Sequence, residues 1–315
     1  MHSFDRKLIE QLSEDDSSAL IELDKCGLLP APGEELESFK SRLLELHVRL
    51  HKFHKELNDK GETELFPGFP LKKKQLITRE IIDEAAEVTE RLYDFSVSWV
   101  PGFFLSKSLG LLWGGCAYTM PDSLFSVFLI RRSFEKRQKW FIYRRDELLA
   151  HELCHSARGP LRDMIYEEHF AYMTAPSRVR RYMGNCFRTK FDAMLFLIPV
   201  LVLLTAQSIE SMTRYTYAIW PFWIFALAGP AILLIRNQLC RNTYFKAVKT
   251  LKKAGIEKPQ AVLFRCTVSE IQEIKKYKRK VDQLKLYFRN KYGSELRWKV
   301  IIDRFITPAN SPEEE

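Results

Sequence analysis

Residues 150–172 read AHELCHSARGPLRDMIYEEHFAY, and within them His151, Glu152 and His155 have the types and spacing for metal chemistry. On a helix, residues four apart share a face, so His151 and His155 can offer both imidazoles to one ion. Glu152, beside the first histidine, is placed to accept a proton from a metal-activated water without binding the metal itself. A hydrolytic zinc site holds three protein ligands and keeps one position open for that water. Glu167, Glu168 and His169 are the candidates for the third ligand. Two successive glutamates lie about 100° apart around a helix, so only one of Glu167 and Glu168 can face the ion. The small Ala171, which permits close helix approach, favours Glu168 over Glu167, with His169 behind both. Asp163 or Tyr166 could orient a ligand or stabilise an oxyanion.

Several elements must position these residues. The approach RRDELLA is helical in propensity and carries the motif on a helix. Gly159-Pro160 ends that helix, and LRDMIYEEHFAYMTA supplies a second one turning back over the first. Upstream, GLLWGGCAYTM, SLFSVFLI and KWFIY are aromatic and β-branched segments broken by Gly-Gly and Pro-Asp, which predicts three strands. Thr78 caps a helix through REIIDEAAEVTERLYDF, and helical spacing runs through EELESFKSRLLELHVRLHKFHKELNDK until Gly61. Towards the C-terminus AVLFR reads as a strand, and Thr267 and Glu270 have the spacing of a capping box.

With its HExxH helix, turn and acidic second helix, the stretch resembles the zincin metallopeptidases. Among them it is most similar to the gluzincins, where a glutamate on the next helix, often opening a Glu-x-x-Ala step, follows HExxH. Glu168-His169-Phe170-Ala171 matches that step, and the resemblance runs from the strand SLFSVFLI to Ala175. It implies zinc held by His151, His155 and Glu168, Glu152 as general base, and hydrolysis of a peptide bond in a peptide or protein substrate. An extended substrate would add as a strand along FSVFLI.

Two other readings compete. His47, His51 and His54 also share a helical face, and with the HxxxH at 151–155 they evoke the histidine boxes of membrane di-iron oxygenases; those need more histidines than the 7 here. A membrane adaptor or interaction protein with a structural or degenerate metal site is the non-enzymatic alternative. The six cysteines are scattered without a CxxC pair, so neither a disulfide framework nor a cysteine zinc ribbon is indicated. Cys154 points away from the ligand face and reads as a buried thiol.

Two uncharged apolar runs, 193–209 and 215–235, have the length of membrane spans, and Tyr215, Tyr217, Trp220, Phe222 and Trp223 suit an interface. Basic residues crowd both outer flanks, from Arg178 to Lys190 and from Arg236 to Lys253, while the connection has only Arg214. By the positive-inside rule the flanks and the metal site are cytoplasmic, and the N-terminus has no signal-peptide pattern. Basic residues beside anionic lipid account for the net charge of +9 without nucleic acid as a partner. The expected fold is α+β, mainly helical, with a small antiparallel sheet before an HExxH helix pair and a two-helix transmembrane hairpin. The boundaries are an N-terminal helical region at 1–65, a zincin-like metal-binding region at 66–190, the hairpin at 191–237, a C-terminal cytosolic α/β region at 238–305 and a disordered tail at 306–315.

Overall fold

The computed structural model describes residues 5–13, 17–105, 113–120, 124–140, 142–213, 216–277 and 283–306. The chain is α+β and mainly helical. In order it forms α1 (Arg6–Glu10), α2 (Ser18–Lys25), α3 (Leu36–Lys60), β1 (Glu62–Glu64), β2 (Pro70–Lys72), α4 (Arg79–Tyr93), β3 (Gly102–Leu105), β4 (Gly115–Thr119), β5 (Ser126–Arg131), β6 (Lys139–Trp140) and β7 (Tyr143–Arg144). There follow α5 (Arg145–Arg158), α6 (Glu167–Met173), α7 (Arg178–Met183), α8 (Lys190–Thr213), α9 (Trp220–Lys253), α10 (Pro259–Phe264), α11 (Val268–Lys276), α12 (Leu284–Tyr292) and α13 (Leu296–Ile301).

The capping box at Thr267 and Glu270 is formed, with both reciprocal hydrogen bonds present. AVLFR, expected as a strand, is instead the core of α10. Pro259 opens it at the first helical position, and Ala261, Val262, Leu263 and Phe264 are all buried, so a short helix enclosed on every side produces the same apolar run as a buried strand. KWFIY, expected as the third strand of the sheet, contributes only to the separate two-stranded β6–β7 ladder. The segment from residue 307, expected to be disordered, lies outside the described residues.

The sheet beside the HExxH helix has the order β3-β5-β4. It is mixed, not purely antiparallel: β3 pairs with β5 in parallel and β4 with β5 antiparallel. β5 is buried along nearly its whole length because strands flank it on both sides. SLFSVFLI is therefore the central strand and offers no edge to a substrate. Of the two outer strands, β3 is bridged by Leu76 at Phe103, and among the described residues β4 has no further strand partner.

α8 and α9 are both long and apolar enough to cross a membrane, and their apolar side chains point outward over most of their length. They pack closely where Gly229 meets α8, since a Cβ there would lie 2.3 Å from the Leu195 carbonyl oxygen. Beyond the apolar stretch α9 continues without a break and changes character. Asn237, Cys240, Tyr244, Ala247 and Leu251 form a buried stripe at helical spacing that docks against the rest of the protein.

Candidate metal centre

α5 presents two faces. Leu149, Ala150, Leu153, Cys154 and Ala157 are fully buried, Cys154 among them as a core thiol, and this packing against α4 fixes the helix. The opposite face turns His151, Glu152 and His155 towards a cleft. A short 3-10 turn at Gly159–Leu161 and a left-handed Arg162 reverse the chain. Asp163 then accepts the backbone N–H groups of Ile165 and Tyr166 at 2.8 and 2.9 Å, which sets the start of α6. Ala171, fully buried, lets α6 approach α5 closely.

This reversal brings Glu168 to the two histidines. Their ligand atoms lie within 4.8 Å of one another and form the one such group of metal-binding side chains among the described residues. The Nε2 atoms of His151 and His155 are 3.1 Å apart, and the Glu168 oxygens lie 3.6 Å from His151 and 3.7 Å from His155. A tetrahedral zinc with nitrogen and oxygen ligands at ~2.0–2.1 Å separates neighbouring ligand atoms by roughly 3.4 Å, so two imidazoles and a carboxylate spaced in this way fit that ion.

Glu167 has a different position. Its Oε1 lies 2.9 Å from His155 Nδ1, so with Nδ1 protonated the Nε2 lone pair faces His151 and Glu168. Glu167 Oε2 lies 3.4 Å from Arg158 Nε, and Arg158 also donates to Asp163 at 2.6 Å and to the Phe264 carbonyl. The Arg158 side chain is wholly buried, with its guanidinium over the Phe170 ring. Asp163, Arg158 and Glu167 thus form a chain that ends on His155. Burial disfavours charge on His155, but its hydrogen bond to Glu167 and the surrounding carboxylates outweigh that effect and push the metal-free imidazole up to about 9. His151 shifts well below the ordinary range through burial and the charge of His155.

Glu152 lies beside the ligands and is nearly enclosed. Its Oε2 accepts the Ala117 backbone N–H at 3.0 Å, and desolvation raises its carboxyl above the usual range. Gly114 and Met120 bond to the strand β5 ladder, so alternation turns the N–H and C=O groups of Gly115, Ala117 and Thr119 to the free edge of β4. A cleft of about 270 Å³ beside His151 and Glu152 is lined by Trp113, Gly115, Tyr143, Tyr172 and Arg180. At the far end of β4 a larger depression of about 840 Å³ is lined by Thr119, Met120, Gly159 and Arg162 among others. The edge of β4 therefore runs past Glu152 from one depression to the other.

Two expected residues sit elsewhere. His169 is fully buried on the far side of α6, its ring 4.5 Å from that of Tyr244 on α9, and Tyr166 turns its hydroxyl to Cys240. His47, His51 and His54 lie on α3 and form no metal-binding group among the described residues. Sequence reasoning missed Arg158, Ala117 and Tyr172. Only Tyr172 left a signal, one helical turn after Glu168 and hence on its face; the other two depend on a turn and a strand register. In comparisons with known proteins, no family model, no curated protein and no solved structure matches this chain.

Proposed function

We propose that the protein is a membrane-anchored, zinc-dependent metallopeptidase. The convergence of His151, His155 and Glu168 beside an enclosed Glu152 that is hydrogen-bonded to a free strand edge carries this reading. Zinc, when bound, supplies Lewis-acid polarisation of the scissile carbonyl and lowers the pKa of water towards ~7. Glu152 takes the proton of the attacking water as its oxygen adds to the carbonyl carbon. It returns that proton to the amine nitrogen as the C–N bond breaks, leaving one carboxyl and one amino terminus. An extended peptide adds to β4 through the outward N–H and C=O groups of Gly115 and Thr119 and the carbonyl of Ala117, whose N–H is held by Glu152, which selects backbone conformation over sequence. A run of strand edge open at both ends suits cleavage within a chain.

In this reading the hairpin of α8 and α9 anchors the catalytic region, and the basic residues flanking it support a cytoplasmic site by the positive-inside rule. Full-length protein purified in detergent should hold one zinc per chain. Glu152→Gln should keep the zinc and lose cleavage of a mixed fluorogenic peptide library, whereas His151→Ala with full zinc content would refute the ligand assignment. For sidedness, Thr216→Cys should react with an impermeant maleimide from outside intact cells, and Cys116 only after permeabilisation.

A further inference from the structure

Tyr172 follows Glu168 by one turn of α6 and lines the cleft with His151 and Glu152. Its ring meets that of His151 edge to face, with centroids 4.6 Å apart and planes at 77°. The hydroxyl makes no hydrogen bond among the described residues. Two neighbouring donors are already engaged: the Ala117 N–H is bonded to Glu152, and the Arg180 guanidinium pairs with Glu147 at 2.6 Å.

Backbone also packs closely on the ring. A Cβ on Gly184 would fall 2.0 Å from Tyr172 Cγ and 2.2 and 2.4 Å from its Cδ atoms. Gly184 has φ −57°, open to any residue, so glycine is required there for space and not for conformation. It stands in the 3-10 turn Gly184–Cys186, which leads into α8. The ring thus touches both a metal-ligand candidate and the segment that leads into the hairpin.

Hydrolysis builds negative charge on the scissile carbonyl oxygen, and a preplaced donor that meets this charge acts mainly on the transition state. We propose that the Tyr172 hydroxyl is that donor, and that Gly184 at the foot of the hairpin holds its ring in register. This inference rests on the peptidase reading, in which Tyr172 is a catalytic residue and Gly184 a positioning residue.

The test uses full-length, zinc-loaded protein and the mixed fluorogenic peptide library. Tyr172→Phe should retain one zinc, lower kcat by about 10²-fold and change KM by less than about threefold. A phosphinic peptide, whose tetrahedral centre mimics the charged oxygen, should bind Tyr172→Phe at least about tenfold more weakly. Gly184→Ala should lower kcat with zinc retained, and adding it to Tyr172→Phe should slow the enzyme little further, because both act on one group. A Tyr172→Phe enzyme within twofold of wild type in kcat and in phosphinic affinity would overturn the proposal. If Glu152→Gln is inactive in the same assay, that result removes Tyr172 alone; full activity in Glu152→Gln removes the peptidase reading and this inference with it.

Discussion

Adjacent glutamates at 167 and 168 divide two tasks that neither could perform together. Glu168 faces the histidine pair, and Glu167 faces the back of His155. Removing a ligand and removing its orienting partner should therefore differ in degree. Glu168→Ala should abolish measurable zinc binding by calorimetry, whereas Glu167→Ala should weaken it about 10–100-fold, as losses behind a ligating histidine do. Glu167 also governs a pH effect. An imidazole near ~6.5 when unfolded and about 9 when folded adds stability that is complete below pH ~6.5 and is lost as pH climbs towards 9. The melting temperature of metal-free protein should carry this fall across that window. Glu167→Gln should carry less of it, and saturating zinc should remove it because the ion then occupies the Nε2 position from which the titrating proton would leave.

At the scale of elements, the β4 edge would join a substrate to the proposed general base. One outward N–H of that strand is already spent on Glu152, so the strand positions the base as well as offering an edge. Ala117→Pro removes this N–H while leaving the ladder to β5 intact, since proline is tolerated where the N–H faces away from the sheet. Cleavage should fall at least tenfold with the melting temperature shifted by only a few degrees. Gly115 behaves oppositely. A Cβ there would lie 2.8 Å from both the Leu129 carbonyl oxygen and Ile130, so Gly115→Val should destabilise the fold by about 1–3 kcal/mol in denaturant titrations.

Across the whole molecule, α9 ties the hairpin to the metal centre. Its stripe from Asn237 to Leu251 is buried in the protein body, and Tyr244 packs on His169 and Phe170 of α6, the helix that carries Glu168. Tyr93 completes the cluster by donating to the Phe170 carbonyl at 2.7 Å. Truncating Tyr244→Ala should cost about 3–5 kcal/mol in stability, as large aromatic deletions in cores do. It should also weaken zinc binding although Tyr244 touches no ligand. Thermal shift and zinc titration on the same detergent sample would check both outcomes.

The helical content, the two apolar helices, the capping box at Thr267 and the HExxH face of α5 were legible in the sequence because each depends on residues within a few positions of one another. His151, Glu152 and His155 share a face by helical periodicity alone, and Ala171 already favoured Glu168. What lay beyond reach depended on contacts between distant segments. Strand order made β5 central and β4 the edge, which no local pattern in SLFSVFLI could disclose, and burial on all sides made AVLFR helical although its run of apolar residues suited a strand. The separate place of Glu167 required Arg158 and Asp163 across the turn, and the placement of Tyr172 required Gly184. Periodicity decides which side chains share a face of one element, whereas packing between elements decides what each face meets.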